Sequence, residues 1–306
     1  MSVIVVGSMA FDAIETPFGK SDKIVGGAAT YIAWCASNFT NVNQISVVGG
    51  DFPQEELDAL TARGVALDGV EIKKNEKSFF WSGKYHLDMN SRDTLVTELN
   101  VLEHFKPIVP DNYQDAEFVM LGNLQPSVQM SVINQLKHRP KLIVMDTMNL
   151  WMDIAMDDLK AVLKQIDVLM VNDSEARQLS GDYSLVRAAK TIMAMGPKFL
   201  IIKKGEHGAL LFHEDKVFFA PALPLEEVFD PTGAGDTFAG GFIGHIAKTK
   251  DISFENMKTA IIVGSAMASF CVEKFGTQRL REISKEDIAN RLQEFVQLVN
   301  FDIDLV

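Results

Sequence analysis

Asp230-Pro-Thr-Gly-Ala-Gly-Asp-Thr-Phe-Ala-Gly-Gly-Phe242 is the stretch on which the reading of this chain turns. Gly233, Ala234 and Gly235 leave the backbone uncovered immediately before a segment of helical period. Unpaired N–H groups and the dipole at a helix start favour an anion, and residues this small let a phosphate come close. Asp236 falls in the first turn, pointing at the same space. Transfer of a phosphoryl group to a hydroxyl needs positioned donors and a carboxylate that accepts the hydroxyl proton. Gly240 and Gly241 would let the helix lie close against a sheet or a ligand. The structural alternative is an Asp-capped helix after a glycine turn, and local chemistry alone leaves both open.

Working outward, short apolar runs ending in Gly, Asp or Asn alternate with helical stretches. Strands are expected at residues 3–6, 45–48, 118–121, 142–145, 168–171 and 200–202, apolar on both faces as parallel strands covered by helices should be. Ala28, Tyr31, Ile32, Cys35, Ala36 and Phe39 keep an i, i+3, i+4 stripe, and 127–138 and 157–165 read as further helices. This alternation predicts an α/β fold: a doubly wound, mostly parallel sheet flanked by helices. Segments 12–25 and about 69–100 break the rhythm with polar-alternating, β-like sequence. They are expected to form a small sheet usable as a lid. Residues 209–212 and 216–220 read as an edge hairpin, and after Gly235 helices are expected over 235–248, 254–274 and 284–299. With no repeat or long linker, the expectation is one domain over 1–306 carrying that lid.

The 230–236 stretch closely resembles the C-terminal signature of the ribokinase-like (pfkB) carbohydrate and nucleoside kinases, Asp-Thr-x-Gly-Ala-Gly-Asp. Pro231 stands where that family often has Thr, while Thr232, Gly233, Ala234, Gly235 and Asp236 match. The resemblance extends over nearly the whole chain. It implies a ribokinase-like fold and a kinase using ATP and Mg²⁺, with Asp236 as general base and Gly233, Ala234 and Gly235 as the anion hole. It also implies substrate contacts at Asp12, after the first strand, and at Gly26 and Gly27, which open the first helix. A solvated turn Asp and a flexible helix entry are the structural alternatives. Asn149, in Asp146-Thr-Met-Asn149, resembles a family element near substrate and phosphate. Asn172-Asp-Ser-Glu175 resembles the Asn-x-x-Glu motif that organises Mg²⁺ and ATP phosphates, often through water. The same spacing suits a helix-capping box, and both can hold together. Thr232, Lys204, Gly205, Gly208 and Thr277 complete the implied ATP contacts, with a tight hairpin as the alternative for the 204–208 loop.

Composition narrows the partners. The 306 residues are 47% hydrophobic and 23% charged, ordinary for a globular enzyme. Lys and Arg number 29 against 41 Asp and Glu, a net charge of −12. No basic run relieves it, so no nucleic-acid partner is expected, and positive potential for ATP must be local. Cys35 and Cys271 are too few for a disulfide framework. Gly19-Lys20-Ser21 mimics the end of a P-loop, but Ile14 stands where its first Gly belongs, and no Gly-x-Gly follows the first strand. No apolar run approaches the roughly 18 residues that span a bilayer, and the start lacks a basic signal region; no membrane association and a cytoplasmic location are expected. Phe79, Phe80, Trp81 and Tyr85 could stack on a nucleobase, form the lid's own apolar face, or make a homodimer contact. The expected acceptor is a ribonucleoside or sugar, the nucleoside read ahead. The alternative is a nucleotide-binding regulatory protein on a kinase fold without turnover, against which the intact Asp236 and its loop argue.

Overall fold

Apolar runs of four or five residues without polar alternation become the parallel centre of a nine-stranded sheet. In the computed structural model, which describes residues 2–300 and 302, the first strands are β1 (Ser2–Val6), β2 (Ala10–Thr16), β3 (Gly19–Gly26), β4 (Asn41–Gly49), β5 (Val65–Lys73), β6 (Phe79–Tyr85) and β7 (Arg92–Glu98). There follow β8 (Phe118–Leu121), β9 (Leu142–Asp146), β10 (Val168–Asn172), β11 (Phe199–Lys203), β12 (Ala209–His213) and β13 (Lys216–Ala220). The large sheet runs β13-β12-β11-β10-β9-β8-β1-β4-β5, parallel except for the expected edge hairpin of β12 and β13.

Alternate residues of β1 feed two cores. Val3 and Val5 pack towards the helices Ala28–Ala36, Ala234–Thr249 and Phe254–Cys271, while Ile4 and Val6 pack towards Pro126–Gln135, Met156–Leu163 and Leu185–Met193. The helix expected to reach residue 138 stops at Gln135 because Leu136 turns extended. That expected to reach 274 stops at Cys271, where the chain turns towards Gly276.

The chain lays β4 and β5 on one side of β1, then returns to place β8 to β11 on the other. Strand order reverses between β1 and β8, and a crevice opens at the carboxyl ends of strands flanking such a switch. Asp146, Asn172 and Lys203 are the last residues of β9, β10 and β11, so three polar groups stand along that one edge.

A four-stranded sheet, β3-β2-β6-β7, lies apart from the large one in hydrogen bonding; β2 and β6 pair in parallel and the outer strands antiparallel. Residues 12–25 fall within it, as expected. Of 69–100, the part up to Lys73 belongs instead to β5, at the edge of the large sheet. An edge strand is covered on one side only, so its Glu71 and Lys73 alternation imitates a free-standing sheet.

Candidate active site

Gly233 has φ 77 and caps the helix Ala234–Thr249, and a Cβ there would stand 2.4 Å from the Tyr31 ring, so conformation and space both demand glycine. The Ala234 amide donates to the Pro231 carbonyl at 3.2 Å. The amides of Gly233, Gly235 and Asp236, by contrast, donate to no protein group among the described residues. They are the orphan donors of a helix start, ready for an anion. Asp236 is half-buried in the first turn. Burial, then the charge of Asp146, pushes its carboxyl up to about 7 against the pull of Lys203 and Arg92.

The loop is braced on two sides. Buried Asp230 accepts from the amides of Thr232 and Gly276, both at 2.9 Å. The Thr232 hydroxyl donates to the Tyr85 hydroxyl on β6 at 3.2 Å, which ties the small sheet to the anion loop.

Asp12 is buried on β2. A Cβ on Gly26 would sit 1.9 Å from its Oδ2, so the first glycine of the pair is what lets the carboxylate occupy this place. Gly27 caps the helix Ala28–Ala36. Burial and the charge of Asp230 push the Asp12 carboxyl up to about 7; the Gly27 amide pulls it down and Asp236 adds to the rise. Asp12, Asp230 and Asp236 thus share one neighbourhood without a cation among the groups acting most on Asp12.

A largely buried cation, Lys203, acts on Asp236. Lys203 Nζ is 2.8 Å from Asp146 Oδ2 and 3.1 Å from where a Cβ on Gly235 would stand. Burial works to discharge it, but Asp146, Glu175 and Asp236 hold its proton above the ordinary lysine affinity. Glu175 is buried, its carboxyl pushed up to about 7 by burial and then by Asp146. The capping box is present: the Asn172 amide donates to Glu175 Oε2 at 2.6 Å, and the Glu175 amide to Asn172 Oδ1 at 2.8 Å.

Other expected site residues are engaged by protein partners of their own. The Asn149 side chain donates to Gln178 at 2.5 Å; within its run it is Asp146 that joins Lys203. Thr277 is buried, its hydroxyl accepting from Arg281 Nε at 2.9 Å. The Lys204 amide donates to the Gly208 carbonyl at 2.8 Å, closing the loop that carries Gly205. Sequence reading gave Lys203 no mention and assigned no role of their own to Asp146 and Asp230, which it quoted only within their motifs. Position at a strand's carboxyl end marks the first two. Asp230 is bound to a turn 46 residues away, a pairing that no local pattern carries.

Orphan amides with a carboxylate in the same turn, at the carboxyl edge of a doubly wound sheet, define a phosphoryl-transferring enzyme of the small-molecule kinase class. The chain belongs to the pfkB family of carbohydrate kinases, whose model matches residues 2–283. It is similar to the cytidine kinase of Thermococcus kodakarensis, 29% identical over 94% of this chain and 97% of that one. The nucleoside kinase of Burkholderia thailandensis, solved in complex with ADP-inosine, has the same fold (TM-score 0.78, 20% identity, 96% of both chains). So does a candidate ribokinase II of E. coli in complex with ATP and Mg²⁺ (TM-score 0.78, 20% identity, 97% of this chain and 99% of that one). The protein is a kinase of the class that phosphorylates sugars or nucleosides. Among the described residues no helix is long and apolar enough to cross a membrane.

Proposed function

We propose that the protein transfers the γ-phosphate of ATP to the hydroxymethyl group of a ribonucleoside, with Asp236 as general base. The carrying observation is the conjunction at residues 233–236: orphan amides, and beside them a half-buried carboxyl raised to about 7. The acceptor oxygen attacks the γ-phosphorus, the bond from that phosphorus to the ADP oxygen breaks, and the hydroxyl proton passes to the Asp236 carboxylate. Asp12 accepts hydrogen bonds from sugar hydroxyls, and the small sheet closes over the acceptor as a lid. No cluster of three His, Cys, Asp or Glu side chains among the described residues could hold a metal ion by itself. That suits Mg²⁺, which keeps waters and phosphate oxygens as ligands and takes few carboxylates, here Glu175 with Asn172 through water. When bound, Mg²⁺ neutralises charge developing on the phosphates.

The nucleoside preference is supported by the T. kodakarensis relative and by Trp81, whose indole lies over Gly83 on the Tyr85 side of β6. ATP consumption over cytidine, uridine, adenosine, inosine, ribose and fructose tests the reading. Nucleosides are expected to turn over, and Asp236→Asn to lose about 10²–10⁴ in kcat with ATP affinity little changed. An Asp236→Asn enzyme within about threefold of the parent would exclude the base assignment. Tight ATP binding with no acceptor turned over would favour a regulatory role.

A further inference from the structure

The two central strands of the small sheet end side by side on hydroxyl residues. β2 and β6 run in parallel, their last registered pair is Glu15 with Lys84, and the next residue of each strand is its last, Thr16 and Tyr85. Both are buried, and both reach the segment that leads into the anion loop. The Thr16 hydroxyl donates to the Phe229 carbonyl at 3.1 Å, and the Tyr85 hydroxyl accepts from that of Thr232 at 3.2 Å. The small sheet thus grips residues 229–232 at both ends.

Thr232 sets the direction of the first orphan amide. In a trans peptide the C=O and the N–H that follows it point opposite ways in one plane, so whatever holds the Thr232 carbonyl also aims the Gly233 N–H. Gly233 itself imposes little, because glycine accepts many backbone conformations. Three bonds fix Thr232: its amide donates to Asp230 Oδ1 at 2.9 Å, its carbonyl accepts from the Cys271 thiol at 3.6 Å, and its hydroxyl donates to Tyr85. A thiol is a weak donor, so it holds the carbonyl loosely. The β-branched Thr side chain is stiff about its first bond, so holding the hydroxyl also holds the backbone that carries it. Of the three partners, Tyr85 alone belongs to the small sheet.

We propose that Tyr85 is a positioning residue, whose hydroxyl acts through Thr232 to aim the Gly233 amide at the phosphoryl group. The inference rests on the kinase reading above and on the small sheet acting as its lid. When the sheet is seated over an acceptor, the phenol meets Thr232 and the Gly233 N–H is held on the oxygen where charge develops. With the sheet lifted, that donor is free to swing and the anion hole is one member short. Phosphoryl transfer is thereby tied to a filled acceptor site.

A double-mutant cycle tests it: the parent, Tyr85→Phe, Thr232→Val and the two together, on the acceptor that the parent turns over best. Thr232→Ser is the variant that keeps the hydroxyl. Tyr85→Phe is expected to lower kcat about three- to tenfold, the scale of one neutral hydrogen bond, with both KM values little changed. It should add nothing in a chain that already carries Thr232→Val, and Thr232→Ser should stay close to the parent. Affinity for ADP with aluminium fluoride, measured with the acceptor present, should fall by the same factor in Tyr85→Phe, while ADP alone binds as before. An unchanged kcat in Tyr85→Phe overturns the proposal, and so do losses that multiply in the double variant. A change confined to the acceptor KM overturns it too, because it would put Tyr85 on the acceptor. If the parent phosphorylates no acceptor at all, the kinase reading fails and this proposal falls with it. If the parent turns over and the cycle is additive, the positioning role fails and the kinase reading stands.

Discussion

Lys203 stands between carboxyls that would otherwise face only one another. Its ion pair with Asp146 leaves the ammonium beside Gly235 and within electrostatic reach of Asp236, whose carboxyl it pulls down. Lys203→Met should therefore raise the Asp236 pKa further. The acid limb of kcat/KM, expected near pH 7 in the parent because the base must be ionised, should move to higher pH. A limb that stays in place while the rate falls would show that Lys203 acts on phosphate alone. Sequence reading chose Lys204 for this region, for its glycine neighbour. Its neighbour Lys203 is the last residue of β11, in register with Asn172, and Lys204 already belongs to the turn. The anion loop was legible because its chemistry is local. The partners of Lys203 and Asp230 were not, because each is made by residues far away in the chain.

At the scale of elements, the large sheet was legible for a physical reason: parallel strands buried on both faces write themselves as unbroken apolar runs. The small sheet was harder, because a strand exposed on one side and a strand at the large sheet's edge carry the same alternation, and β5 was partly taken for the former. Alternation also divides the aromatic cluster of β6. Trp81, Gly83 and Tyr85 share one side, where the indole covers Gly83 and Tyr85 meets Thr232, whereas Phe80 packs against the core from the other. Four aromatics in sequence are thus not one stacking surface. Trp81→Ala is expected to weaken a nucleoside acceptor by about 1–3 kcal/mol in kcat/KM, with ribose affected much less. Phe80→Ala should lower the melting temperature and leave the acceptor KM nearly unchanged. Equal losses with nucleoside and ribose in Trp81→Ala would make the indole a structural part of the sheet.

For the whole molecule, the site runs against the fold's own stability. Asp12 and Asp236 would titrate near 3.8 in an unfolded chain and are held at about 7 in the folded one. The native state therefore keeps protons that the unfolded state has released. Stability should fall as pH rises from about 4 to about 7 and level off above, the reverse of a carboxylate held in a salt bridge. Glu175, likewise raised to about 7, adds to the same slope. Asp12 gives the cleanest measurement, because it is buried and no cation is among its main neighbours. Asp12→Asn should abolish most acceptor turnover yet raise the melting temperature, by about 2–5 °C at pH 8. The gain should shrink towards zero near pH 4, where the folded and unfolded carboxyls are both protonated. Thermal melts of parent and variant from pH 4 to pH 8, without nucleotide, measure it directly. A gain independent of pH would mean that the substitution improves packing and that Asp12 is ionised at no cost. A loss at every pH would mean that the carboxylate's bond with the Gly27 amide outweighs its repulsion by Asp230 and Asp236. The pH-dependent gain would instead show that the Asp12 carboxylate sits where its ionisation costs the fold stability.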